Sequence, residues 1–296
     1  MGHAGGWGWR QIRVRWVLES DWVLGNTFDW QGTLVRWDRT GTGAAVVLCH
    51  GTPWSSYVWR AAVHNLSSER TVYVWDMIGY GHSDKPDGDV SLGEQGRLLA
   101  ALLEQWDLEA PDIVAHDYGG AVALRVHLLH GASVRSLALV DVVALSPWGS
   151  PFFRLVAQHH QVFTQLPPNL HQALVREYIA GASHPGLSRD VHDALVSPWL
   201  GPEGQPAFYR QIAQADRGYT DEIEPLYPQI NVPTLIVWGT ADEWIPVDQA
   251  RQLHRLIPGS RIELIEDAGH LVQEDRPNEL NDVLARWLMA PPGGRE

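Results

Sequence analysis

Cysteine is almost missing from this chain of 296 residues. Cys49 stands alone, which excludes an internal disulfide and points to a reducing compartment. Basic residues are scarce too, 22 Lys and Arg against 35 Asp and Glu, for a formal charge of −13. They form no cluster. Phosphate contacts dominate nucleic-acid affinity, so a chain of this kind is not expected to bind DNA or RNA. No stretch approaches the ~20 apolar residues of a membrane span. Residues 1–13 carry no basic segment followed by an apolar run, so no secretory leader is expected and the expected location is cytoplasmic. Internal repeats and low-complexity tracts are also missing.

What is present is a pattern of alternation. Ile12–Leu18 and Thr33–Trp37 read as an opening β-hairpin region. Ala44–Cys49 is a short apolar run between Gly43 and Gly51, as a buried parallel strand would be. Thr71–Trp75, Asp112–Ala115, Val134–Val140, Thr234–Trp238 and Arg261–Ile265 have the same character. Helical patterns at Leu92–Trp106, Gly120–His130, Asp248–Leu256 and Asn278–Leu288 separate them. This predicts an α/β fold, a mostly parallel sheet with helices on both faces.

The alternation breaks between about Ser146 and Gln229, a stretch with many prolines, no convincing strand, and helical patterns such as Leu170–Ala180 and Pro206–Arg217. The expectation is a core of residues 1–145 and 230–296 with a helical cap, residues 146–229, inserted between two strands. Ligands of open α/β sheets bind beyond the C-terminal strand ends, where such an insertion would form a lid.

Four short segments carry the chemistry. In Asp112-Ile-Val-Ala-His-Asp-Tyr-Gly-Gly-Ala121 a buried strand runs straight into a helix through a turn of small residues. That is the shape of a nucleophile elbow, with Asp117 where a serine more often stands. By itself an aspartate there could also be a helix N-cap. His50-Gly51-Thr52-Pro53 follows the strand ending at Cys49, where the loop of such a fold supplies one oxyanion-binding N–H and the residue after the nucleophile supplies the other. Those donors are the backbone N–H groups of Thr52 and Tyr118. Asp242, in Trp238-Gly-Thr-Ala-Asp-Glu-Trp-Ile-Pro246, follows one late strand; His270, in Asp267-Ala-Gly-His270, follows the next. The order nucleophile, acid, histidine is Asp117, Asp242, His270. Asp141, at the end of the strand Val134–Val140, is the alternative acid.

These residues resemble the aspartate-nucleophile branch of the α/β-hydrolase superfamily, the epoxide hydrolases and haloalkane and fluoroacetate dehalogenases. The resemblance runs from about Ala44 to Leu288, with the helical insertion corresponding to their cap. It implies that Asp117 attacks an sp³ carbon to form an alkyl-enzyme ester, and that His270, oriented by Asp242, activates the water that hydrolyses it. It implies no cofactor and no metal.

The resemblance also bears on the leaving group. Haloalkane dehalogenases place a tryptophan directly after the nucleophile and a second Trp or Asn as halide donors; here the corresponding positions are Tyr118 and Thr52. Fluoroacetate dehalogenases place arginines just after the nucleophile, where this chain has Tyr118 and Ala121, so a haloacid is not expected. Epoxide hydrolases protonate the opening oxygen with cap tyrosines, one often followed by arginine; Phe208-Tyr209-Arg210 looks like that pair, with His159 or His160 as partner and Tyr178 and Tyr219 as further candidates. Among the 15 tryptophans, Trp54 and Trp148 are expected to wall an apolar pocket. The expected reaction is epoxide hydrolysis to a diol. Hydrolytic dehalogenation, a non-hydrolytic natural-product enzyme and a ligand receptor on the same fold are the alternatives. The expected partner is a small apolar organic molecule, with a homodimer left open.

Overall fold

The computed structural model describes residues 22–290. Its strands are β1 (Asn26–Trp30), β2 (Thr33–Thr40), β3 (Ala45–Cys49), β4 (Thr71–Trp75), β5 (Asp112–Asp117), β6 (Ser136–Val142), β7 (Thr234–Gly239) and β8 (Arg261–Ile265). Among the described residues they form one sheet in the order β1-β2-β4-β3-β5-β6-β7-β8. β1 and β2 pair antiparallel to each other, and β2 to β4; every pairing from β4 through β8 is parallel. This is the mostly parallel sheet expected of an α/β fold.

The central strands are buried on both faces, which is why they read as continuous apolar runs rather than alternating ones. The opening hairpin is β1 with β2. Its two-residue turn, Gln31-Gly32, has φ of 54° and 86°, as a type I′ turn requires. The expected strand Ile12–Leu18 lies outside the described residues.

The helices are α1 (Arg60–Leu66), α2 (Leu92–Gln105), α3 (Tyr118–Leu129), α4 (Pro151–Phe163), α5 (Pro168–Ala180), α6 (Arg189–Val196), α7 (Gly201–Ala213), α8 (Gly218–Asp221), α9 (Asp248–Leu256), α10 (Val272–Asp275) and α11 (Pro277–Met289). Helices α4 to α8 all fall between β6 and β7. α7 starts at Gly201 rather than Pro206, with Pro202 in its first turn, where a missing N–H leaves no bond unmade. None of the described helices is long and apolar enough to cross a membrane.

Candidate active site

The loops after β3, β5, β7 and β8 converge at the C-terminal ends of the parallel strands, the position where ligands of such sheets bind. Asp117 is the last residue of β5 and directly precedes α3. Its φ of 49° and ψ of −121° lie well outside the helical and extended regions, a conformation that persists only where the surroundings enforce it. Small residues enforce it here. A Cβ on Gly119 would lie 2.5 Å from the Cys49 carbonyl oxygen, and one on Gly120 would lie 2.3 Å from the Val142 side chain. Helix and sheet therefore approach closely, and the turn that presents Asp117 stays tight.

The two oxygens of Asp117 have different surroundings. Oδ1 accepts the Thr52 N–H at 2.6 Å. Oδ2 lies 3.3 Å from His270 Nε2, an ion-pair distance without hydrogen-bond alignment. As the first residue of α3, Tyr118 has an N–H with no acceptor inside the helix. The helix N-terminus adds positive potential at the carboxylate.

His270 Nδ1 bonds Asp242 Oδ2 at 2.9 Å, while Asp242 Oδ1 accepts the N–H groups of Trp244 (2.8 Å) and Ile245 (2.9 Å). Asp242 is thus held by its own loop and in turn fixes the imidazole's tautomer. The buried His116 ring packs on His270 at 4.8 Å, and its Nε2 lies 2.9 Å from the His270 carbonyl. Burial holds His116 well below the usual imidazole range, so it is the neutral donor of that bond. For His270, burial works against the charged imidazole, but the Asp242 and Asp117 carboxylates overcome it and raise the pKa well above its ordinary value. The two carboxylates on either side of the ring therefore favour its protonated form.

Above Asp117 lies a cavity of about 310 Å³ whose walls include Thr52, Trp148, Phe153, Tyr178 and Trp244. Its lining joins core loops to residues of the helices between β6 and β7. Burial and the neighbouring Asp117 charge raise the Tyr178 phenol well above its usual pKa, keeping it protonated. Trp244 organises this wall: its ring stacks on Tyr178 at 4.6 Å, on His270 at 5.1 Å and on Trp54 at 5.6 Å.

The structure brings together Asp117, His270, Asp242, Thr52, Tyr118, Trp148 and Tyr178. It separates others from them. The Tyr209 hydroxyl donates to His171 Nδ1 at 2.9 Å, and the ring packs against Phe163. Tyr209 is absent from the cavity walls, so the leaving-group role expected for it is corrected. Two residues along α7, Gln211 faces the site instead: its Oε1 accepts from Thr52 Oγ1 (2.7 Å) and Tyr80 (3.1 Å). His159 and His160 are exposed on α4, where His160 borders a surface groove with Asp87 and Arg210. Neither reaches Asp117's cavity. Trp54 is buried behind Trp244 and backs the pocket without lining it. Tyr219 packs on Arg125 at the far side of α3.

Two residues of the site escaped the sequence reading. Gln211 carries no motif. Trp244 does carry a signal, its place two residues after Asp242 in the same loop.

A family model described as alpha/beta hydrolase fold matches residues 44–277. The chain belongs to the α/β-hydrolase fold family. A crystal structure of an α/β-hydrolase fold protein from Burkholderia ambifaria is 46% identical, covering 88% of this chain and 97% of that one with a TM-score of 0.86. The cis-3-alkyl-4-alkyloxetan-2-one decarboxylase of Xanthomonas campestris is 28% identical over 276 residues, 84% of this chain and 90% of that protein. The bifunctional epoxide hydrolase 2 of pig (Sus scrofa) is 26% identical over 299 residues, 87% of this chain and 53% of that protein. The residues matched by the family model, 44–277, include every candidate residue above.

Proposed function

We propose that the chain hydrolyses an epoxide of modest apolar bulk to a diol, through an alkyl ester on Asp117. The observation that carries this reading is the division of labour at Asp117: one oxygen held by the Thr52 N–H, the other beside His270, in a cavity with the Tyr178 phenol. A carboxylate needs no base to act as a nucleophile at neutral pH, since its unperturbed pKa is about 3.9. Oδ2 attacks the less hindered ring carbon, the C–O bond breaks, and the leaving oxygen takes the Tyr178 proton. Esterification removes the negative charge at Asp117. His270 then loses one of the two carboxylates that keep it protonated, and its pKa falls toward the range of a general base. Its proton passes to the Tyr178 phenolate left by ring opening, restoring the phenol, and the neutral imidazole then takes a proton from a water that attacks the Asp117 carbonyl carbon. The resulting oxyanion forms on Oδ1, between the N–H groups of Thr52 and Tyr118. Its collapse releases the diol and restores the carboxylate.

Against a halide leaving group stands the engaged Trp148 indole in the cavity wall. Trp148, which lines the cavity, gives its N–H to Thr220 Oγ1 at 2.8 Å, and Trp199 gives its own to the Pro53 carbonyl at 2.7 Å. Two of the relatives act, by their names, on strained oxygen rings, an epoxide and an oxetan-2-one. The helices between β6 and β7 serve as the lid in this reading, and the protein works in the cytoplasm without a cofactor.

The test is a His270→Gln protein incubated with styrene oxide and, separately, 1-bromobutane, read by intact mass and peptide mapping. The expected result is an adduct of the epoxide's mass on Asp117 and none from the bromide. An adduct with loss of bromide would replace the epoxide by a halide. No adduct from any member of a wider epoxide and halide panel, while wild type turns over, would overturn the covalent route.

A further inference from the structure

Asp141 is a wholly buried carboxylate that no step above uses. The register between β5 and β6 jumps beside it: His116 pairs with Val140, Asp117 with Val142, and Asp141 is the extra residue between them, with φ of 45°. Such bulges next to active sites re-aim a side chain. Here the re-aimed carboxyl reaches the end of β7, where Oδ1 accepts the Gly239 N–H at 2.9 Å. The side chain lies within hydrogen-bonding reach of the Asp242 carboxyl, and Oδ2 has no protein donor.

Two adjoining carboxylates in a buried site cannot both stay ionised, and the one with fewer donors keeps the proton. Asp242 has three donors: the Trp244 and Ile245 N–H groups and the His270 imidazolium. Asp141 has one. We propose that Asp141 holds a proton on Oδ2 and donates it in a hydrogen bond to Asp242, acting as a positioning residue that leaves Asp242 as the one carboxylate charge on that side of His270. The charged groups that face Asp141 are Asp242, on the loop after β7, and His270, on the loop after β8; burial first, and then the Asp242 charge, raise its pKa well above the carboxylate range. Asp141 is therefore neither a second catalytic acid nor an idle core residue. It confines the charge to Asp242 and supplies that carboxylate with a fourth donor.

The inference is tested without substrate, so its failure is separate from failure of the epoxide reading. Infrared spectra at pH 8 read the carbonyl stretch of protonated carboxyls, which ionised ones lack. The expected result is a band in the wild-type protein that disappears in Asp141→Asn. In parallel, imidazole NMR follows the His270 titration in both proteins. The substitution exchanges one neutral donor for another, so the titration stays where it is. If Asp141 were a carboxylate, removing its charge would lower the His270 pKa by about one unit or more. Such a fall, or a wild-type spectrum without the band, overturns the proposal. Should Asp141→Asn fold poorly, Asp141→Ser serves for the same comparison, and a wild-type spectrum without the band overturns the proposal on its own.

Discussion

Gly51 and Asp117 occupy space that a single methyl group would close: a Cβ on Gly51 would lie 2.2 Å from Asp117 Oδ1. The loop after β3 can thus lay its next N–H, that of Thr52, onto the carboxylate only because its glycine has no side chain. Gly51→Ala forces either that loop or Asp117 to move. Displacements near 1 Å at a reacting centre cost about 10²-fold in rate. The expected outcome is a kcat/KM lowered by at least about 10²-fold, with the circular dichroism spectrum retained.

His270 owes its raised pKa to two carboxylates acting against burial. Asp117→Asn removes one, as the ester would, so the imidazole should titrate at lower pH than in the wild-type protein. NMR of the His270 ring measures this. The same shift predicts a pH dependence of stability. A group whose native pKa is raised contributes fully below its unfolded value, about 6.5 for histidine, and that contribution fades as pH climbs through the raised native value. Across that window Tm should fall more steeply in wild type than in Asp117→Asn.

Tyr178 and Tyr209 should separate in their effects. Tyr178→Phe removes the cavity's phenolic acid, and loss of a general acid lowers kcat on an epoxide by about 10²-fold or more. The His270→Gln background should show the same slowing in adduct formation. Tyr209→Phe removes only the bond to His171. It should lower stability by about 1 kcal/mol while turnover changes little, as paired thermal melts and steady-state rates would show.

The apolar strand runs, the helical periods between them, and the small residues framing Asp117 and Thr52 made the sheet and its loop residues legible in the sequence. Those signals are local: a strand, a turn and the residue at its tip lie within one short window. The leaving-group side was harder to read. Tyr209 and Gln211 sit two residues apart on α7, and both are buried. Which one faces Thr52 depends on how α7 lies across α4, α5 and the core, and helical periodicity says nothing about that. His159 and His160 came from the resemblance to epoxide hydrolases, and α4 turns both to solvent. α4 itself carries a start signal in its sequence, Ser150 capping with Pro151 in the first turn. Trp244 needed the packing of three rings to show its importance, although its loop was already marked by Asp242.

Gln211 joins α7 to the loop after β3 through Thr52, and to Tyr80. Gln211→Leu leaves two buried hydroxyls without their acceptor, a loss of about 1–3 kcal/mol. Because Thr52 serves Asp117 in both chemical steps, single-turnover experiments should show both alkylation and ester hydrolysis slowed. A change in KM alone would place Gln211 outside the oxyanion loop's support.

The central claim is that Asp117 itself becomes covalently bound, and one isotope experiment addresses it most directly. With enzyme in excess over an accepted epoxide in ¹⁸O-water, a single turnover should give a diol free of label, its new oxygen having come from Asp117. The label should appear instead in the peptide that contains Asp117. A labelled diol from that first turnover, with Asp117 unlabelled, would mean that water attacks the substrate directly, and the account would be wrong at its foundation.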